Sequence, residues 1–233
     1  MALTDSLISA YEFEANGNDS HGTNHLTNNN GVTFVSGKVG NAASFSAAST
    51  QNFSTSSTDF NFATTDSFSI AAWLKPTNFT SHRSVADIGG GGNRKFFYLI
   101  NITDGVLYRW SSQPMVLLVA GSWNFIVHTF QSDGTNHGSE NAYLDGVQKI
   151  DLIDNSSLAV PAPDTVPMII GDIVGGGFPY DGLIDQLLIW RRAITGAEVT
   201  ALYNGGAGLS YAAMAPTTPI PVFIHLSGQM RTS

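Results

Sequence analysis

Short apolar or alternating runs recur about every 8 to 15 residues along this chain, with clusters of Gly, Asn, Asp or Pro between them. Leu7 to Phe13, Val32 to Val35, Phe68 to Leu74, Phe96 to Ile102, Trp123 to Phe130 and Leu183 to Trp190 are such runs. They are too short for core helices and are punctuated as strands are, which predicts an all-β sandwich or barrel. Asp104-Gly105 and Asp145-Gly146 each separate two runs, and this dipeptide takes the positive φ angles of a type I′ turn, so both places are expected to be antiparallel hairpins. A single helix is expected, late in the chain. Thr195 and Glu198 make a capping box, Ile194 and Val199 are spaced as a hydrophobic staple, and Asn204-Gly205 supplies the stop. A piece this short is expected at a sheet edge or across one end of the sandwich.

The 233 residues suit one large sandwich, and with 42% hydrophobic residues against 12% charged ones there is material for a core and little for disorder. A net charge of −8 without a Lys/Arg cluster argues against nucleic acid and anionic membrane as partners. The densest basic points are only Arg94-Lys95 and Arg191-Arg192. Absence of Cys removes disulfides, thiolate metal sites and thiol catalysis. No window approaches the roughly 20 apolar residues of a membrane helix, and the start at Met1 has no basic or apolar leader.

A boundary is expected after Gly208, giving a sandwich over 1–208 and an arm over 209–233. Pro216, Pro219 and Pro221 favour an extended spacer, and the apolar stretch Val222, Phe223, Ile224 and Leu226 beyond it is the candidate partner-binding segment.

In order along the chain come Tyr11-Glu12-Phe13 with Asn18-Asp19-Ser20-His21-Gly22, then Gly37-Lys38-Val39-Gly40-Asn41-Ala42, then Phe68 to Pro76 around Trp73. Trp123 to His128 leads to Tyr143-Leu144-Asp145-Gly146, and Asp181 to Trp190 leads to Arg191-Arg192-Ala193-Ile194-Thr195. This succession resembles the laminin-G-like jelly roll of the concanavalin A-like lectin and glucanase superfamily over Leu7 to Gly205. The resemblance implies a two-sheet antiparallel jelly-roll sandwich with a buried Trp73, and a structural calcium shared by the acidic loop and the last strand, for which Asp19 and Asp185 are the candidates. Gln186 stands where the family usually has a second acidic residue.

The residues give little for catalysis. Glu12 and Glu14 alternate with Tyr11 and Phe13, so on one strand they would share a face about 7 Å apart, within range for a glycosidase pair. The longer acidic motif of the laminarinase-like relatives is missing, and the expectation is a solvated strand face with no enzyme activity. His21 and His25 have helical metal-ligand spacing but lie in Asn/Gly/Thr-rich sequence that does not form helix. Gly89 to Gly92 lacks the Lys-Ser/Thr of a phosphate loop. Phe97, Tyr108, Trp110 and Tyr180 fall near strand ends, where aromatics can stack on sugar rings, but sequence does not select among them.

Two readings follow. The leaderless start and the arm favour a non-catalytic component of an extracellular assembly, such as a virion surface, decoration or fibre protein that oligomerises or joins a larger particle through the arm. The alternative is a lectin-like adhesion module that binds carbohydrate or a cell surface.

Overall fold

A computed structural model describes residues 1–63, 65–88, 96–101, 105–109, 113–135, 138–155 and 167–214. The strands are β1 (Leu7–Tyr11), β2 (Thr27–Asn29), β3 (Thr33–Ser36), β4 (Asn41–Phe45), β5 (Asn52–Thr55), β6 (Phe68–Pro76), β7 (Arg83–Ile88) and β8 (Phe96–Ile100). They continue as β9 (Val106–Arg109), β10 (Gln113–Leu117), β11 (Asn124–Ser132), β12 (Gly138–Leu144), β13 (Val147–Asn155), β14 (Met168–Ile170) and β15 (Gly182–Trp190), followed by helices α1 (Gly196–Tyr203) and α2 (Tyr211–Met214). One sheet runs β13-β12-β11-β6-β15-β4-β3, with β1 added to β15 beyond the end of β4, and the other runs β10-β9-β8-β7-β14-β5-β2. These neighbours pair antiparallel.

The central part of the first sheet is buried on both faces, which explains the long apolar runs in β6, β11 and β15. On β6, Phe68, Ile70, Ala72 and Leu74 face the core between the sheets, while Ala71 and Trp73 face a second core outside. On β11, Ile126 and Phe130 go inward and Phe125 and Val127 outward. β15 holds the same alternation only by shifting phase. Ile184 faces inward before Gln186, and Leu187 and Ile189 face inward after it. The extra residue is a β-bulge, with its register shift against β6 between Asp185 and Leu188, and Gln186 sits there at φ +47.

The second core is closed by the helical segment. α1 starts at the Thr195/Glu198 capping box, ends at Asn204 in the left-handed region, and buries Val199 and Leu202 over Trp73, Phe125 and Trp190. The helix therefore covers the outer face of the first sheet, rather than an edge or an end. A face presenting two Trp and a Phe needs a lid, and the amphipathic turn after β15 is the nearest piece of chain to supply one. Trp73 stacks on Tyr203 at 5.7 Å between centroids, and the Trp190 indole N–H donates to the Leu3 carbonyl at 2.7 Å.

Both expected hairpins pair their flanking strands antiparallel, and Asp104 of the first lies outside the described residues. Asp145 and Gly146 have φ +53 and +76 between β12 and β13, and Gly105 has φ +68 ahead of β9, which pairs with β8. The expected arm begins inside the second core, because Leu209, Tyr211 and Met214 pack there. Val222, Phe223, Ile224 and Leu226 lie outside the described residues. No helix among the described residues is long and apolar enough to cross a membrane.

Arg192 fastens the helix start to the first residues of the chain. Its guanidinium grips both Glu198 oxygens, at 2.9 and 2.6 Å, and donates to the Asp5 carbonyl at 2.7 Å. Partial burial pushes the Glu198 carboxyl up, but the Arg192 and Thr195 hydrogen bonds outweigh it and hold the group at about 2, below its ordinary 4.5. A lowered folded-state value contributes stability that is complete above about pH 4.5 and is lost as pH falls toward 2. Glu198→Gln is expected to lower stability at neutral pH, with the gap to the parent protein closing across that acid window in denaturant melts. A gap independent of pH would contradict the assignment.

Candidate functional site

β1 pairs with β15 on one side only, and its other edge is covered by the loop from Asp19 to Asn24. A bare edge would leave backbone groups unpaired. Asp19 supplies the cover: its Oδ1 accepts from the Ala10 and His21 N–H groups, both at 3.0 Å, and its Oδ2 accepts from Asn24 N–H at 3.2 Å. Ser20 N–H then donates to the Ala10 carbonyl at 2.8 Å. Asn24 closes the far end, donating through Nδ2 to Ser9 Oγ at 3.0 Å and accepting through its carbonyl from the Tyr11 hydroxyl at 2.8 Å. Gly22 passes so near the strand that an added Cβ would lie 3.0 Å from Asp19 Oδ2 and 3.2 Å from the Ile8 carbonyl oxygen.

Between this loop and the strand lies an open pocket of about 370 Å³. β1 contributes Leu7 and Ile8, the loop contributes His21, Gly22, Thr23 and Asn24, and Asp59 and Arg191 complete the lining. Arg191 is held from behind. It pairs with Asp66, donates to the Asp59 carbonyl at 2.7 Å, and lies 4.8 Å from the centre of the Phe62 ring. His21 Nδ1 meets the Tyr211 hydroxyl at 2.9 Å, with the two rings edge to face. The carboxylate of Asp59 is exposed and has no hydrogen-bond partner among the described residues. The pocket thus joins a small apolar patch to several polar groups, at the lower end of the size range for small-ligand sites. Asp59, Thr23, Arg191 and Tyr211 are absent from the sequence-derived candidates. They converge from distant parts of the chain, so no local motif marks them.

The expected Glu12/Glu14 strand face is corrected by the structure. β1 ends at Tyr11, and Phe13 has φ +56, so the alternation that would put both carboxylates on one face breaks between them. Each serves a different segment instead. Glu12 Oε1 accepts from Tyr211 N–H at 3.1 Å and Glu14 Oε2 accepts from Asn41 N–H at 3.0 Å, and both residues line a recess of about 180 Å³. His21 and His25 are divided as well, since His25 Nδ1 accepts from Asp19 N–H at 3.1 Å while His21 meets Tyr211. Of the candidate stacking aromatics, Tyr180 is fully buried against Phe45, and Tyr108 is half-buried. The Phe97 side chain and Trp110 lie outside the described residues.

Asp185 holds the other candidate loop. Its Oδ2 accepts from the Lys38 and Val39 N–H groups at 2.8 and 2.9 Å. Burial pushes its carboxyl up to about 7, the backbone donors pull against that rise, and Glu14 adds to it. Asp185 Oδ1 and both amide atoms of the bulged Gln186 are buried without a hydrogen-bond partner among the described residues. Calcium needs about six to eight oxygen ligands. Asp19 and Asp185 share no partner here, three backbone donors already occupy Asp19, and no group of three or more His, Cys, Asp or Glu among the described residues could hold a metal. The donor set does not fit a shared calcium; the two carboxylates act as separate loop ties.

A Laminin_G_3 family model, described as concanavalin A-like lectin/glucanases superfamily, matches residues 47–200, more than half of the chain. The chain belongs to this superfamily. No curated protein sequence matches it. Among solved structures, this superfamily chain is similar to Domain 4 of AbnA, an extracellular GH43 arabinanase of Geobacillus stearothermophilus, in complex with arabinotriose. That match has a TM-score of 0.61 at 22% identity and covers 84% of this chain and 97% of the domain. It is also similar to the binding domain of Paraclostridial Mosquitocidal Protein 1, with a TM-score of 0.67 at 15% identity over 88% of this chain. The binding domain of botulinum neurotoxin DC, in complex with rat synaptotagmin II, matches with a TM-score of 0.64 at 15% identity over 87% of this chain. The chain spans about half of each toxin binding domain, 53% and 52%. At these identities the likeness is one of fold.

The Asp19 geometry makes a prediction that separates the loop tie from a calcium site. Asp19→Ala strands three backbone N–H groups, so it is expected to cost about 2–4 kcal/mol, seen as a lower melting temperature of the same size in calcium and in chelator. A parent protein that melts lower in chelator, with the difference abolished by the substitution, would instead establish the shared ion.

Proposed function

We propose that this chain is a non-catalytic, lectin-like module that binds carbohydrate in the pocket beside β1. One observation carries the reading: hydrogen-bonding side chains from the loop, Asp59 and Arg191 line an open pocket that also offers the half-buried Ile8 to an apolar ring face. Two similar structures support it. The AbnA domain was solved with arabinotriose, and the botulinum neurotoxin DC binding domain with SialylT. Against hydrolysis stands the geometry of Glu12 and Glu14, whose carboxylates serve as backbone acceptors for two separate segments. A glycosidase requires two carboxyl groups placed across one scissile bond. The assembly reading drawn from the arm gains no support from the fold or from the compared structures, and glycan binding takes its place as the preferred function.

The test is a panel of immobilised oligosaccharides, followed by calorimetry on any that bind. Thr23→Trp places a large side chain at the pocket, and it is expected to weaken binding at least about tenfold, a loss of ~1.4 kcal/mol, with little change in melting temperature. Binding unaffected by that change would remove the pocket from consideration. Prolonged incubation with the same oligosaccharides is expected to release no reducing ends, and turnover lost in Glu14→Gln would show instead that the chain is an enzyme.

A further inference from the structure

The lining of the pocket goes further than naming a sugar, because it carries both halves of a hydrogen-bonding code. A hydroxyl donates and accepts at once; a carboxylate only accepts, and an ammonium only donates. The pocket offers an uncommitted acceptor in the Asp59 carboxylate, and it offers donors in the Thr23 hydroxyl and in Arg191. Of the five N–H donors of Arg191, one goes to Asp66 and one to the Asp59 carbonyl, which leaves others available.

Charge sharpens the choice. The positive charge of Arg191 is balanced by its ion pair with Asp66, which does not line the pocket. Asp59 is then the unbalanced charge at the site, in a protein whose net charge is −8. An incoming carboxylate meets Asp59 while Arg191, the cation at the pocket, is already shared with Asp66, so the three charges sum to a negative site, and juxtaposed like charges are a common way of excluding a wrong partner.

We infer that the pocket selects a neutral glycan presenting adjacent hydroxyls, and that Asp59 is the residue that rejects acidic sugars. Two neighbouring hydroxyls donate to the two Asp59 oxygens, and their oxygens accept from Arg191 and Thr23. This inference rests on the glycan-binding reading above. It makes Asp59 a specificity-determining residue and leaves the fold independent of it, because the side chain makes no hydrogen bond among the described residues.

Matched pairs of ligands test it: lactose against 3′-sialyllactose, and galactotriose against trigalacturonic acid, with arabinotriose as a further neutral probe. For the parent protein, each neutral member that binds is expected to do so at least about tenfold more tightly than its acidic counterpart, and added salt should narrow the ratio by screening. Asp59→Asn keeps one acceptor and removes the charge, so it is expected to weaken neutral binding through the lost hydroxyl contact while the ratio of neutral to acidic affinity falls toward one. Asp59→Lys is expected to reverse it. Acidic sugars that bind the parent as tightly as neutral ones, with binding still lost in Thr23→Trp, would overturn this inference and leave the glycan-binding reading standing. Failure of every sugar to bind the parent would overturn both.

Discussion

β15 must serve two hydrophobic cores at once, and the rest of the molecule is arranged around that demand. It lies beside β6, β4 and β1, sends Ile184, Leu187 and Ile189 into the space between the sheets, and sends Leu188 and Trp190 to the opposite face. A strand with strict two-residue periodicity keeps one set of side chains on each face throughout its length. The bulge at Gln186 changes that set part-way along. It lets Asp185 face outward beside Trp73, where its carboxylate fixes the turn at Lys38 and Val39, before the alternation resumes out of phase. The outer core then requires a cover, and the capped helix with the segment through Met214 provides it.

Much of the sparse charge in this protein is used as mechanical ties. Arg192 joins Glu198 to the first residues, Arg191 joins Asp66 to the 3-10 turn containing Asp59, and Glu12 and Glu14 each receive a backbone N–H from another segment. In a chain whose non-hydrophobic residues are mostly Ser, Thr, Asn and Gly, the few ionised groups are among the strongest hydrogen-bonding partners available to loops. Asp59 departs from this pattern, and that departure is what gives the pocket its chemistry.

Features of the fold written in neighbouring residues were legible in the sequence. The Asp145-Gly146 turn needs two adjacent positive φ angles, and the Thr195 to Glu198 cap is a contact across three residues, so both announce themselves locally. The second core was only half legible: the resemblance implied a buried Trp73, but nothing local showed that α1 would lie across its face. The pocket was not legible, because Thr23, Asp59 and Arg191 meet only after strand pairing has joined distant parts of the chain. The Glu12/Glu14 pattern misled for a related reason. Alternation implies a shared face only while the backbone stays extended, and Phe13 leaves the extended region. For Asp19 and Asp185 the sequence picked out two structurally committed acids, but their roles depend on which backbone N–H groups the fold brings to them.

The way Asp19 holds its loop has a consequence for how such a protein can change. The loop's shape is set largely by bonds from one carboxylate to main-chain N–H groups, and main-chain groups are the same whatever side chains they carry. The side chains at positions 20, 21 and 23 are exposed. They can therefore be exchanged while the scaffold beneath them stays fixed, much as antibody loops vary over a constant framework. New recognition can be acquired there by point substitution, or by randomised libraries in the laboratory, without reopening the question of whether the sandwich folds.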